Sequence, residues 1–169
     1  MRSVIETFEV ATGRVREVLS VEGRVCAPNW APQGDWLLVN SEGRLFRVPL
    51  DRPRLIGIDS GRAIRCNNDH GFLPDGQRIL LSSHHEGKGA AVYAMPAVGG
   101  EPELITAARP SWWHGISRDG RTLVYAAARR GRTVDICTCD PDGGNEALLT
   151  GGEGHADGPD FSCDGSRIY

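Results

Sequence analysis

The sequence predicts an all-β protein, a β-propeller of four-stranded antiparallel blades, and three observations carry that prediction. One phrase recurs, read most clearly at His70-Gly71-Phe72-Leu73-Pro74-Asp75-Gly76-Gln77-Arg78-Ile79-Leu80-Leu81, in which a bulky residue leads into a glycine turn and an apolar run leads out. Its turn glycines stand at 34, 76, 120 and 165, so successive copies are 42, 44 and 45 residues apart. No segment carries apolar residues at the 3.6-residue spacing of a helix, and the prolines and glycines would break one that tried.

The other copies are Trp30-Ala31-Pro32-Gln33-Gly34-Asp35-Trp36-Leu37-Leu38, Ile116-Ser117-Arg118-Asp119-Gly120-Arg121-Thr122-Leu123-Val124 and Phe161-Ser162-Cys163-Asp164-Gly165-Ser166-Arg167-Ile168-Tyr169. Asp-Gly between apolar runs is a strong hairpin signal, because glycine accepts a positive φ without steric strain. Gln33 replaces the aspartate in the first copy, where Gly34 still permits the turn.

Taken in order, residues 1–22 read as an outer half-blade, with strands over 3–10 and 14–21 around the turn Ala11-Thr12-Gly13. A complete blade follows over 23–65, with strands at 25–30, 36–40, 44–50 and 54–58. The next, 66–108, places strands at 69–73, 78–83, 90–95 and 103–106. The third, 109–152, places them at 113–116, 122–127, 134–139 and 146–149. Residues 153–169 begin one more, with strands at 159–161 and 167–169, and read as an inner half-blade. Three complete blades and two complementary halves are the expectation for a portion of a larger ring. Bare strand edges also make self-association through the open blades an expectation.

Composition narrows the classes. The chain is 40% hydrophobic and 24% charged with a net charge of −3, within the ordinary globular range. No basic stripe appears, which argues against a nucleic-acid partner. The one basic knot, Arg129, Arg130 and Arg132, falls between two strands and reads as a solvated hairpin tip. Cys26, Cys66, Cys137, Cys139 and Cys163 lack metal-ligand or redox spacing; Cys137 and Cys139, two apart in a strand, point to one face. They read as mostly buried strand residues that suit a reducing compartment. With no long apolar run and no signal peptide at the N-terminus, a cytoplasmic protein without a membrane partner is expected; an upstream leader would make it periplasmic.

The four periodic copies resemble the propeller repeat of TolB-like proteins, a WD-like repeat found also in the propellers of tricorn protease and prolyl-oligopeptidase relatives. The matching residues include Leu73-Pro74-Asp75-Gly76, Val92-Tyr93-Ala94-Met95 and Asp135-Ile136-Cys137-Thr138-Cys139-Asp140-Pro141-Asp142-Gly143-Gly144, and the resemblance covers nearly the whole chain. It implies an intact ring of about six or seven blades. It also implies a scaffold that binds peptides or partner proteins on its propeller. No Gly-x-Ser-x-Gly elbow and no phosphate-binding glycine loop accompany it.

The segments that lead into the inner strands gather at one mouth of a propeller channel, and loops on a rigid scaffold are where binding groups tend to sit. Here they hold Asn68, Asp69 and His70, then Trp112, Trp113 and His114, then Asp157 and Asp160. His70 and His114 both stand six residues before their turn glycines, so repeat symmetry predicts equivalent places and a common direction. Two such histidines with nearby carboxylates can hold a divalent metal. The same residues can bind a peptide or sugar with Trp112 or Trp113 as the stacking face. Equally, each histidine can serve as a tether between blades. His84-His85-Glu86 falls in a hairpin away from the channel.

Three functions therefore stand as expectations. The first is a scaffold that binds a protein or small ligand at the channel mouth, with no catalytic residues and no cofactor. The second is a metal-dependent carbohydrate-active enzyme, similar to the oligogalacturonate lyases, with His70 and His114 as ligands. The third is a structural portion with no ligand site.

Overall fold

A computed structural model describes residues 1–84, 88–131, 133–151 and 154–169. Within them the chain forms β-strands and no helix. β1 (Arg2–Glu9) and β2 (Arg14–Glu22) make a two-stranded hairpin. The first four-stranded sheet runs β3 (Cys26–Trp30), β4 (Trp36–Ser41), β5 (Arg44–Pro49) and β6 (Ile56–Gly57). The second runs β7 (Cys66–Phe72), β8 (Arg78–His84), β9 (Ala90–Pro96) and β10 (Glu103–Leu104). The third runs β11 (Ser111–Ile116), β12 (Leu123–Ala127), β13 (Asp135–Cys139) and β14 (Ala147–Leu148). Every pairing is antiparallel between consecutive strands. Each sheet is therefore a meander, as a propeller blade is.

The repeated turn has one geometry throughout. Gly34, Gly76, Gly120 and Gly165 have φ of 78°, 69°, 73° and 71°. Each donates its N–H to the carbonyl three residues back at 2.8–2.9 Å, from Ala31, Leu73, Ser117 and Ser162. The aspartate earns its place by accepting the N–H two residues on: Gln77 to Asp75 at 2.9 Å, Arg121 to Asp119 at 3.1 Å and Ser166 to Asp164 at 3.0 Å. Gln33 instead lays its amide across Gly76 of the next blade.

The middle strands are buried on both faces, so they read as continuous apolar runs. Alternate residues go to opposite seams. Leu37 and Val39 of β4 pack with Ile5 of the hairpin, while Leu38 packs with Ile79 and Leu81 across the next seam. Leu80, between those two, joins Trp113, Leu123 and Tyr125 beyond. Cys137 and Cys139 share that last cluster, as their spacing predicts. Strands β3, β7 and β11 touch in series and thus form the inner edge of the blades.

The differences from expectation lie at blade margins. The outermost strands β6, β10 and β14 shrink to two residues each, since only one side offers a partner. The last hairpin reduces to a single bridge between Phe161 and Ile168, flanked by paired Asp160 and Tyr169 backbones. Cys163 is exposed, whereas Cys66, Cys137 and Cys139 are buried and all five cysteines are free thiols.

Candidate functional site

The inner strands differ where they enter the blade, and those differences build the site. Gly71 faces Leu80 in the second blade, and Gly115 faces Val124 at the equivalent place in the third. One step further back His70 faces Leu81, but Trp113 faces Tyr125, because His114 is the extra residue of a β-bulge. The expectation that the two histidines point the same way is therefore corrected. Trp113 takes the ladder position that His70 holds in the preceding blade, and His114 is turned aside. A bulge re-aims one side chain while leaving the ladder on either side intact.

His70 is 2% exposed. Its Nδ1 lies 3.3 Å from the Asn29 amide, whose Nδ2 also donates to the Ala27 carbonyl at 3.1 Å. That orientation makes Nδ1 the acceptor, so a neutral ring carries its proton on Nε2, which is buried with no acceptor. Burial alone lowers the pKa of His70 to about 4. Trp113 is core as well: its backbone N–H donates to Ser82 Oγ at 2.7 Å and its indole packs over Gly71.

His114, by contrast, lines a cavity of about 360 Å³ with Asn67, Asp69, Trp112, His155 and Asp157. In β7 a wider bulge sets Asn67, Asn68 and Asp69 together against Ser82, which turns Asp69 toward His114. His114 Nε2 approaches Asp157 Oδ1 at 3.1 Å, close but not aligned as a hydrogen bond. Asn67 receives the Asp69 N–H on its Oδ1 at 3.1 Å and donates its own amide to Asp69 Oδ2. Burial raises the Asp69 pKa above the usual carboxylate value; the Asn67 bond and His114 pull it down, and Asp157 adds to the rise.

The expected residues thus divide. Asp69, Trp112, His114 and Asp157 come together at one cavity. Asn68 lines the adjoining one with Arg24, Cys26, Asn40, Glu42 and Asn67, a space of about 420 Å³. Asp160 lies against Gly115 and accepts the Phe161 N–H at 2.8 Å. His70 and Trp113 are closed into the blades. Asn67 and His155 join the site, and Asn40 the adjoining cavity, without having been singled out. Asn67 and His155 stand in the same polar segments and share their signal; Asn40 lies in an otherwise apolar strand, where a lone amide was the clue. His84 is exposed at the end of β8, and His85 and Glu86 lie outside the described residues, as do Arg132 and Glu153.

The residues present do not fit the expected metal pair. His70 lends no lone pair to the cavity of His114, and among the described residues no group of three or more metal-ligating side chains is assembled.

Comparison with known proteins places this geometry. The TolB beta propeller domain family matches residues 1–169. The structure of a candidate TolB from Agrobacterium tumefaciens superposes with a TM-score of 0.94 at 45% identity, covering 100% of this chain and 61% of that one. TolB from Acinetobacter baumannii superposes at 0.81 with 19% identity, covering 98% and 42%. An oligogalacturonate lyase in complex with manganese superposes at 0.68 with 15% identity, covering 95% and 48%, a likeness of fold alone. The chain therefore spans about three fifths of its Agrobacterium relative. From the four turns of one geometry to the match along its full length, this chain belongs to the TolB β-propeller domain family.

Proposed function

We propose that this propeller is a binding scaffold that presents the mouth of its inner strands to a protein or small ligand, without catalysis of its own. One observation carries the reading. Two bulges of different width bring Asp69, Trp112, His114 and Asp157, from three separate segments, to the wall of one open cavity. These are groups that hold a ligand by charge, hydrogen bonds and an aromatic face. Among the described residues, the lining includes no serine, cysteine or lysine to act as a nucleophile. The metal-dependent reading gains nothing from the geometry, because the closed position of His70 removes one of its two ligands.

An NMR screen of short peptides and small polar molecules tests the proposal. Binding is expected to move the Trp112 indole and His114 ring signals while leaving Trp113 still. The combined Trp112→Ala and His114→Ala variant is expected to lose it. A blank screen, or binding that survives in that variant, would assign the chain a purely structural role. The five unpaired thiols suit a cytoplasmic setting, which cell fractionation tests.

A further inference from the structure

We infer that Asp157–Gly158 is a self-modification site, at which the chain closes a succinimide and reopens it as isoaspartate. The inference is independent of the binding role, since it rests on the chain's own backbone. Aspartate stands before glycine five times, at Asp75, Asp119, Asp142, Asp157 and Asp164. The reaction needs the glycine nitrogen free to reach the aspartate Cγ, and the fold withholds it at all of them but Asp157. Gly76, Gly120, Gly143 and Gly165 donate their N–H groups to the carbonyls of Leu73, Ser117, Asp140 and Ser162 at 2.8–2.9 Å. Their aspartates turn to the nitrogen beyond: Asp75, Asp119, Asp142 and Asp164 accept the N–H of Gln77, Arg121, Gly144 and Ser166 at 2.9–3.1 Å. The Ser117 and Ser162 hydroxyls, with those N–H groups, also hold Asp119 and Asp164 below the usual carboxylate range. An ionised carboxylate is the poorer target for a nucleophile.

Asp157 is built differently. Gly158 donates its N–H to Asp157 Oδ1 itself at 2.9 Å, so nucleophile and carboxyl are already in contact. Backbone bonds anchor the segment at Ala156, to Val134, and at Asp160, to Tyr169. Among the described residues none ties Asp157, Gly158 or Pro159 between those anchors. A Cβ at Gly158 would meet nothing within 4 Å, so the approach is uncrowded, and the Asp157 side chain is 58% exposed to water. Asp160 makes the same contact with the Phe161 N–H at 2.8 Å, but its carboxylate lies against Gly115 and a bulky residue stands in place of the glycine. In the reaction Gly158 N bonds to Asp157 Cγ as a Cγ–O bond breaks. The oxygen leaves as water, carrying the amide proton and one proton from solvent. Water then opens the ring and returns that proton. Attack at Cγ restores aspartate; attack at the former main-chain carbonyl carbon leaves isoaspartate, with the chain routed through the side-chain carbons. The carboxyl group that stood 3.1 Å from His114 Nε2 is then part of the main chain, so this cavity wall changes as the molecule ages.

Ageing the full chain in warm, near-neutral buffer tests this. Tandem mass spectrometry of a digest locates isoaspartate, and an isoaspartyl methyltransferase with labelled S-adenosylmethionine counts it. Asp157 is expected to convert about tenfold faster than any other aspartate that precedes glycine. In concentrated urea the five are expected to converge, because only the fold distinguishes them. Asp157→Glu, which keeps the charge but lengthens the side chain, is expected to remove most of the methyl-accepting capacity of the aged protein. The inference is overturned if any other aspartate matches Asp157 in the folded chain, or if Asp157 stays unmodified while the urea-unfolded chain reacts. It is overturned equally if Asp157→Glu accepts as much methyl label as the unaltered chain.

Discussion

The indole of Trp113 occupies the space that a side chain on Gly71 would need. A Cβ added at Gly71 would stand 2.4 Å from Cη2 and 2.8 Å from Cζ3 of that ring. The glycine is therefore required by close approach between inner strands β7 and β11, not by its backbone conformation. Gly71→Ala is expected to destabilise the chain by about 1–3 kcal/mol through overpacking. Urea unfolding checks this, and an unchanged midpoint would mean the seam can open around the ring.

The two adjacent tryptophans separate into core and surface. Trp113→Ala is expected to cost about 3–5 kcal/mol, because it empties the seam between the second and third blades. Trp112→Ala, at the half-buried cavity wall, is expected to cost less than about 1 kcal/mol. Parallel denaturation curves of the two variants read the contrast directly.

The buried imidazole of His70 makes the fold acid-sensitive. Its folded pKa, about 4, lies below the ordinary value of 6.5, so between these the unfolded chain binds the extra proton. Its contribution is thus fully present above pH 6.5, falls as pH drops toward 4, and amounts to about 3 kcal/mol over that window. Asp69, with its raised pKa, opposes this trend by favouring the folded state as acid is added. Unfolding free energies measured at pH 7.5, 6 and 5 are expected to decline, and more shallowly in His70→Gln.

A polar knot ties the third blade to the turn before it. Arg129 meets Glu146 through Nε to Oε1 and a terminal nitrogen to Oε2, both at 2.9 Å, and reaches Ser111 Oγ at 2.8 Å and the Pro110 carbonyl at 3.0 Å. Tyr125 donates its hydroxyl to the same carboxylate at 2.6 Å. Lysine cannot reproduce this fork. Arg129→Lys is expected to lower stability by about 1–2 kcal/mol, seen as a fall of a few degrees in Tm.

Thiol accessibility provides a check on the blade faces. Burial pushes Cys66 and Cys137 up to about 11 and Cys139 up to about 12. Cys163 is exposed. Maleimide labelling followed by peptide mass spectrometry is expected to modify Cys163 first and those three only on unfolding. Early labelling of Cys137 would show the third blade opening from its outer side.

Much of the architecture was legible in the residues because its causes are local and periodic. Glycine at each turn supplies the positive φ, aspartate satisfies the next free N–H, and alternation along Leu37, Leu38 and Val39 assigns side chains to opposite seams. The site was half legible. Polar segments at equal distances from the turns marked Asp69, Trp112, His114 and Asp157, all of which meet at one cavity.

By itself, then, the sequence determined a family of four-stranded blades, their seams and the segments from which a binding surface is drawn. Only the tertiary structure decided which residues of those segments face outward. Equal spacing from the turn puts His70 and His114 in register on paper, but a bulge of one residue in β11 offsets them, and a wider one in β7, beyond His70, sets Asp69 beside His114. Where a bulge forms depends on what the neighbouring blade presents. Asn29 covers His70, while the bare Gly71 admits the Trp113 ring and leaves His114 to turn toward Asp157. Those choices rest on contacts some forty residues apart along the chain, which no local pattern encodes.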